Sequence, residues 1–438
     1  MRRLEKKYEN ELVVIGVHSA KFPNEKDSDN LQNAVRRYQL EHPVINDGHF
    51  QVWQQYSCRA WPTLMFIDPQ GNVIGKHEGE MSFEQFDNLM EQMITEFDAT
   101  GILKHEVFPS SFQKPETTTL SYPGKVVADE NFDRLFIADT NHNRIIITSL
   151  NGNLQQIIGS GEEGFTDGYL AASAFNHPQG LSLVKDTLYV ADTENHAIRK
   201  VDLITGSVVT IAGTGEQGKT RDGRSPAINT ELCSPFDLIY HRETLYIAMA
   251  GIHQLWSLDL KNGLIGPFAG NGGEAIQDGP LASAQLAQPC GITTDGSKLY
   301  FADSETSAVR SADFASSGSV RTIIGLDLFV FGDVDGSDHN VRLQHPIGIT
   351  HYDGALYVTD TYNHKIKKVL PATRSAFTVL GTGSAGFTDG PAFEAQFSEP
   401  SGISFASGNI FIADTNNHAI RIAGIESGAV STLEIKGL

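Results

Sequence analysis

The sequence predicts a mainly β protein, a six-bladed β-propeller preceded by an α/β domain. Three observations predict the propeller. The stretch LYVADTENHAIRKVDL at 188–203 recurs in near-copies that start at 135, 245, 299, 356 and 410, a step of 53 to 57 residues. A proline keeps the same step at Pro123, Pro178, Pro235, Pro289, Pro346 and Pro400. Each interval reads as four short strands, in the second repeat GLSLV, LYVAD, IRKVDL and VVTIAG, with Gly, Asn and Asp at the turns. A period of this length without helical patterning marks a repeat architecture. Four-stranded units set radially leave only short edges, as propeller blades do.

Composition narrows the partners. The chain has 438 residues, with 33 Lys and Arg against 53 Asp and Glu, a formal net charge of −20. So acidic a surface repels phosphate backbones, and nucleic acid is not an expected partner. Cys58, Cys233 and Cys290 lie far apart, without a CxxC or metal-ligand spacing, which fits a reducing compartment. No apolar run reaches membrane length, and MRRLEKKYENELVV lacks the apolar segment of a signal peptide. The expected location is cytoplasmic, with no membrane partner and no cofactor.

Ahead of the repeats the chain alternates between helix and strand. Residues 2–8 read as the end of a charged helix, and LVVIGVHS at 12–19 as an apolar strand. Residues 29–41 put Leu31, Val35, Tyr38 and Gln39 at helical spacing behind an Asp cap. PVIND at 43–47 is a short strand and FQVWQQY at 50–56 a helical turn or two. WPTLMFID at 61–68 reads as a buried strand, turned by PQGN into NVIGKHEGE. Residues 82–97 form an amphipathic helix capped by Ser82, with Phe83, Phe86, Leu89, Met90 and Met93 on one face.

Residues 12–98 resemble the latter part of a thioredoxin-like domain of the TlpA type. Trp61-Pro62-Thr63 matches that family's cis-proline turn, which abuts the redox dithiol and presents backbone to substrate. GVHSAKFPNEKD at 16–27, joined to the six repeats, resembles the NHL-repeat thioredoxin-like proteins of the NHL repeat-containing protein 2 family. The resemblance implies a thiol-redox domain beside an NHL propeller. In that family a strand and a cysteine pair precede the equivalent of residues 1–10, and the strand lies between the equivalents of 12–18 and 63–67. The expectation is therefore a truncated module at 1–98 without its dithiol, a linker at 99–121 and a six-bladed NHL propeller at 122–438. Cys58 is no substitute, because dithiol chemistry needs a low-pKa nucleophile and a nearby resolving thiol.

In a meander of four strands, the long connections between blades share a face with the turns between second and third strands. Those connections carry Asp-Gly at Asp167, Asp222, Asp278, Asp335 and Asp389, read first as turn formers. The other turns align Asp139, Asp192, Asp303, Asp360 and Asp414, with Met249 in blade three, and four residues later Asn143, His196, His253, Ser307, His364 and His418. A catalytic site is needed once and a turn brace in every blade. Repetition therefore favours an Asp that caps its turn and a His that packs on the next blade.

Departures from the repeat are the better site candidates. Two residues after the proline four blades have glycine, whereas blade one has Lys125 and blade three Asp237, on the innermost strand. They read as an axial ligand site or, preferably, as an ion pair plugging the channel. His177, His345 and Glu399 precede their prolines at the channel mouth and are candidate metal ligands, as in NHL-type amidating lyases. Met249 and Trp256 make blade three the candidate specialised spot. The leading expectation is a binding or scaffold protein for a protein or small-molecule ligand on the loop-rich face. The alternatives are a thiol-disulfide oxidoreductase, if the natural start lies upstream, and a hydrolase or lyase with a channel metal.

Overall fold

The computed structural model describes residues 1–108 and 118–438, which fall into two units, Met1–Thr117 and Thr118–Leu438. The first unit runs α1 (Arg2–Lys7), β1 (Gly16–His18), α2 (Ser28–Arg37), β2 (Val44–Asn46), α3 (Gln51–Gln55), β3 (Thr63–Ile67), β4 (Val73–Glu78) and α4 (Phe83–Thr100). Its core gathers Leu4 and Tyr8 against Phe86 and Met90. Ser82 caps α4 in a reciprocal box: its hydroxyl accepts from the Gln85 N–H at 3.3 Å, and the Gln85 amide oxygen accepts from the Ser82 N–H at 3.0 Å.

The sheet of this unit is in two pieces. β1 pairs in parallel with β2, and β3 pairs antiparallel with β4, and no ladder joins the two pairs among the described residues. Val13, Ile15, Val17 and Ile67 are exposed in consequence, although the sequence reads them as strands to be buried. The second helix also differs from expectation. Asp27 caps it, accepting from the N–H groups of Asp29 and Asn30, and it ends at Arg37. Tyr38 is exposed and Gln39 adopts a left-handed φ of 48°, so the expected apolar face stops a turn early.

The expected linker at 99–121 is shorter than its sequence suggests. Its first two residues complete α4, and residues 109–117 lie outside the described residues. At its other end Leu120 is buried in the propeller, and the Ser121 N–H donates to Asp139 Oδ1 at 2.6 Å.

The second unit is a ring of six antiparallel sheets. The second blade shows the plan: Pro178–Val184 lies innermost, followed outward by Thr187–Asp192, Ala197–Asp202 and Ser207–Ala212. Val and Ile of each second and third strand face the neighbouring sheet, so six apolar clusters form, each spanning two adjacent blades. Each fully buried Val, Leu, Ile or Phe in them contributes roughly 1.5–3 kcal/mol relative to exposure. The sixth cluster closes the ring by packing Leu135 and Ile146 of blade one on Phe411 and Ile420 of blade six.

Four long connections contribute a two-residue strand, such as Gly168–Tyr169, to the outer edge of the blade they lead into. Blade one receives the segment around Lys436 there instead. The Lys436 N–H donates to the Gly152 carbonyl at 2.9 Å, and the Leu154 N–H donates to the Lys436 carbonyl at 3.0 Å. The outer strand of blade six stops at Thr432, so 433–436 crosses to blade one, an exchange that the sequence gives no sign of. No helix among the described residues is long and apolar enough to cross a membrane.

Candidate functional site

After each second strand the chain makes a 3-10 turn that ends in a left-handed residue: Asn143, His196, His253, Ser307, His364 and His418, with φ between 47° and 56°. The residue before each blade proline is left-handed too. The two positions meet across every blade boundary. Backbone N–H groups of His177, Ser234, Gln288, His345, Glu399 and Tyr122 donate to the side chains of those six residues in order, at 2.9–3.2 Å. The histidines accept at Nδ1, which places the ring proton on Nε2. Burial pushes His196 and His364 below the usual histidine pKa and keeps them neutral for that role. The expected packing of His on the next blade is thus a hydrogen-bonded latch. Its signal in the sequence is that only side-chain acceptors (Asn, Ser, His) fill the position.

The aspartates act differently from the expected turn caps. None caps its own 3-10 turn; the Asp192 carboxylate accepts instead from the Asn176 N–H at 2.8 Å, two residues before the blade's proline. Its other oxygen takes Arg199 Nη1 at 2.7 Å, while Arg199 Nη2 reaches Asp167 Oδ1 on the long connection at 2.9 Å. Arg310 with Asp303 and Asp278, and Arg421 with Asp414 and Asp389, repeat the arrangement around fully buried guanidinium groups. In blade five Lys367 stands among Asp333, Asp335 and Asp360. Asp167, Asp278, Asp335 and Asp389 of the Asp-Gly set are therefore anchors as well as turn formers. Burial raises the Asp192 and Asp414 carboxyls to about 6 against the pull of Arg199, Arg421 and their amide donors. At Asp167 burial also raises the pKa, but the Thr210 N–H and hydroxyl and Arg199 outweigh it, and the net shift is downward.

Blade three loses the group whole. Met249 and Trp256 fill the Asp and Arg positions and are buried, and Trp256 Nε1 donates to Gln254 Oε1 at 2.9 Å. Replacing both charges by apolar side chains leaves neither unpaired. Met249 and Trp256 are core residues, and the reading of them as ligand contacts is corrected.

In the channel Lys125 Nζ lies 2.5 Å from Asp237 Oδ2, spanning from blade one to blade three past Gly180 of blade two. Asp237 also accepts from the N–H groups of Leu238 and Ile292. A Cβ on Gly180 would stand 2.5 Å from the Asp237 Cα, and one on Gly348 would strike the Ser401 carbonyl. The glycines are thus what lets six innermost strands converge. The cavity beside the pair has a volume of about 10 Å³, on the scale of one water molecule.

The proposed metal set is not assembled. His177 Nδ1 contacts its neighbour Asn176, and His345 stacks on Tyr362 and faces Glu305. Among the described residues no group of three or more His, Cys, Asp or Glu is placed to hold a metal, His177, His345 and Glu399 included.

Phe165 and Phe387 sit on long connections, exposed, with the guanidinium carbons of Arg199 and Arg421 at 5.2 and 5.0 Å from their ring centres. Asn195 and Asn417 donate to the carbonyls of Gly164 and Gly386, one residue before each ring, both at 2.7 Å. The rings therefore stand on the face of the second-strand turns, as a meander requires. In the first unit the Trp61–Pro62 peptide is cis, and Trp61 is exposed, its indole N–H donating to the Ser19 carbonyl at 2.9 Å. Cys58, half-buried, is one of three free cysteines.

A thioredoxin-like domain model matches residues 2–94, and an NHL-repeat model matches 175–201 and 397–423. The chain is 44% identical over 460 residues to Protein SUPPRESSOR OF QUENCHING 1, chloroplastic, of Arabidopsis thaliana, covering 99% of this chain and 44% of that protein. It is 38% identical over 461 residues to NHL repeat-containing protein 2 of Bos taurus and of Homo sapiens, covering 97% of this chain and 63% of each. Fold, latch and matches together define an NHL-repeat β-propeller protein with a thioredoxin-like unit. The chain is similar along nearly its whole length to NHL repeat-containing protein 2, and it spans less than two thirds of the length of these relatives.

Proposed function

We propose that the propeller is a binding module that presents its long-connection face to a partner. The observation that carries this reading is that the exposed rings of Phe165 and Phe387 stand on loops held from below by buried Arg–Asp groups and by Asn195 and Asn417. Aromatic side chains on a rigid support lose little entropy on binding, and they dominate interface energetics. Hydrogen-exchange protection by a bound partner tests the reading. Protection is expected at 159–168 and 381–390, and a footprint confined to the hairpins of the opposite face contradicts it.

A second reading, thiol-disulfide exchange, is favoured by the cis Trp61–Pro62 turn within the thioredoxin-like match. The present chain offers Cys58 alone there. An insulin-reduction assay is expected to show no turnover above a Cys58→Ser control, and turnover above it would mean that this thiol acts with another. The Arabidopsis relative is chloroplastic by name, and three free thiols suit that compartment as well as the expected cytoplasm.

A further inference from the structure

The five long connections, residues 159–177, 213–234, 270–288, 325–345 and 381–399, carry 15 Asp and Glu against four Lys and Arg. The whole chain has 53 against 33, so these loops are far more acidic than the rest. Part of that charge is spent internally on Arg199, Arg310, Lys367 and Arg421. Glu162, Glu216, Glu274 and Asp327 are not so used: they are exposed and make no ion pair among the described residues. The same connections carry the exposed rings of Phe165, Phe387 and Phe329.

We propose that the partner of this face is a basic segment of polypeptide, whose Lys or Arg side chains lie over Phe165 and Phe387 and between the free carboxylates. The inference rests on the binding reading above and adds the chemistry of the partner. The open face of a phenyl ring attracts a cation through its quadrupole. The guanidinium beneath each ring does not cancel this, because two aspartates neutralise it. An anionic peptide, a nucleic acid or an anionic lipid surface meets repulsion from the same carboxylates. An uncharged apolar partner would have to desolvate them without return.

The test uses the full chain and a fluorescent, unstructured peptide of alternating Arg and Ser, with a Glu and Ser peptide of equal length as its counterpart. Binding of the Arg peptide is expected, weakening as salt is raised, with no binding of the Glu peptide. Bulk attraction to an acidic protein is separated by Phe165→Leu with Phe387→Leu, which leaves net charge unchanged and keeps an apolar cover over Arg199 and Arg421. This variant is expected to bind about tenfold more weakly, a hot-spot-sized loss. Glu162→Gln with Glu216→Gln, at carboxylates without internal ion pairs, gives an independent reading and should also weaken binding. Unchanged affinity in both variants, or binding of the Glu peptide instead, overturns the proposal. A natural partner that protects this face through an acidic or uncharged segment overturns it too, while leaving the binding reading intact. Protection of the opposite face overturns both.

Discussion

His418 in the last blade accepts a hydrogen bond at Nδ1 from the backbone N–H of Tyr122 in the first, at 3.1 Å and across 296 residues of sequence. The same bond, formed by His, Asn or Ser, recurs at every other blade boundary, so the closing joint is chemically the same as the five joints inside the chain. At the closing joint alone the two partners lie at opposite ends of the propeller. The clasp of Lys436 on Gly152 and the burial of Leu433 reinforce it.

His418→Ala is expected to cost about 1–3 kcal/mol, the penalty of a buried N–H left without an acceptor. His418→Asn should retain most of the stability, because Asn143 makes the bond at the next boundary. Urea unfolding of the two variants checks this, and equal losses would show that ring packing rather than the acceptor holds the joint.

The latch makes the ring sensitive to acid. Folded-state pKa values of His196 and His364 lie below the unfolded value because burial disfavours the cation. Between those values the unfolded chain binds more protons, so their contribution is complete above about pH 6.5 and is lost as pH falls through the folded values. A protonated Nδ1 also turns a donor toward a donor. His196→Asn with His364→Asn should flatten the decline in melting temperature between pH 7 and pH 5. An unchanged pH profile would place the acid sensitivity elsewhere.

Lys125 and Asp237 should behave as one unit. Removing either alone leaves a buried charge unpaired and is expected to cost about 3–5 kcal/mol. Their joint replacement by Ala should cost clearly less than the sum of the single losses. Strict additivity in a double-mutant cycle by denaturant titration would mean that the 2.5 Å contact carries no coupling.

Blade three tests whether the buried ion group is interchangeable with apolar packing. Met249→Asp alone buries a lone carboxylate beside Trp256 and should destabilise by about 3 kcal/mol or more. Adding Trp256→Arg restores the pattern of blades two, four and six and should recover part of that loss. A double variant no better than Met249→Asp would show that the surrounding packing in blade three no longer admits the ion pair.

The two units should differ in autonomy. Residues 106–438 contain six complete blades with buried joints, and are expected to melt cooperatively. Residues 1–105 hold two separate two-stranded sheets with exposed apolar residues at 13, 15, 17 and 67. Pairs of strands without a shared sheet are marginal. Isolated 1–105 should therefore give a poorly dispersed amide spectrum and no sharp thermal transition. A dispersed spectrum with a sharp transition would show that the helices alone stabilise it.

Most of the architecture was legible because it repeats. A strand pattern copied six times with a proline in step specifies blades, their number and the innermost position of the strand after each proline. The same comparison singled out Lys125 and Asp237, since a charge among glycines on an inner strand needs an opposite charge nearby. Ser82 was legible for a local reason: a capping box closes within three residues.

What the tertiary structure alone decided are relationships between repeats. His418 meets the Tyr122 N–H, and Lys436 meets Gly152, only because the ring bends the chain back on itself, and sequence separation carries no trace of that curvature. Met249 and Trp256 read as departures from the repeat, and only the fold shows that both are buried where other blades place an Asp and an Arg. In the first unit, local patterning placed the four strands, although of the one expected at 12–19 only Gly16–His18 forms. Whether an apolar strand is buried depends on the partner beside it, and Ile15, Val17 and Ile67 are exposed because no ladder among the described residues joins β1 to β3.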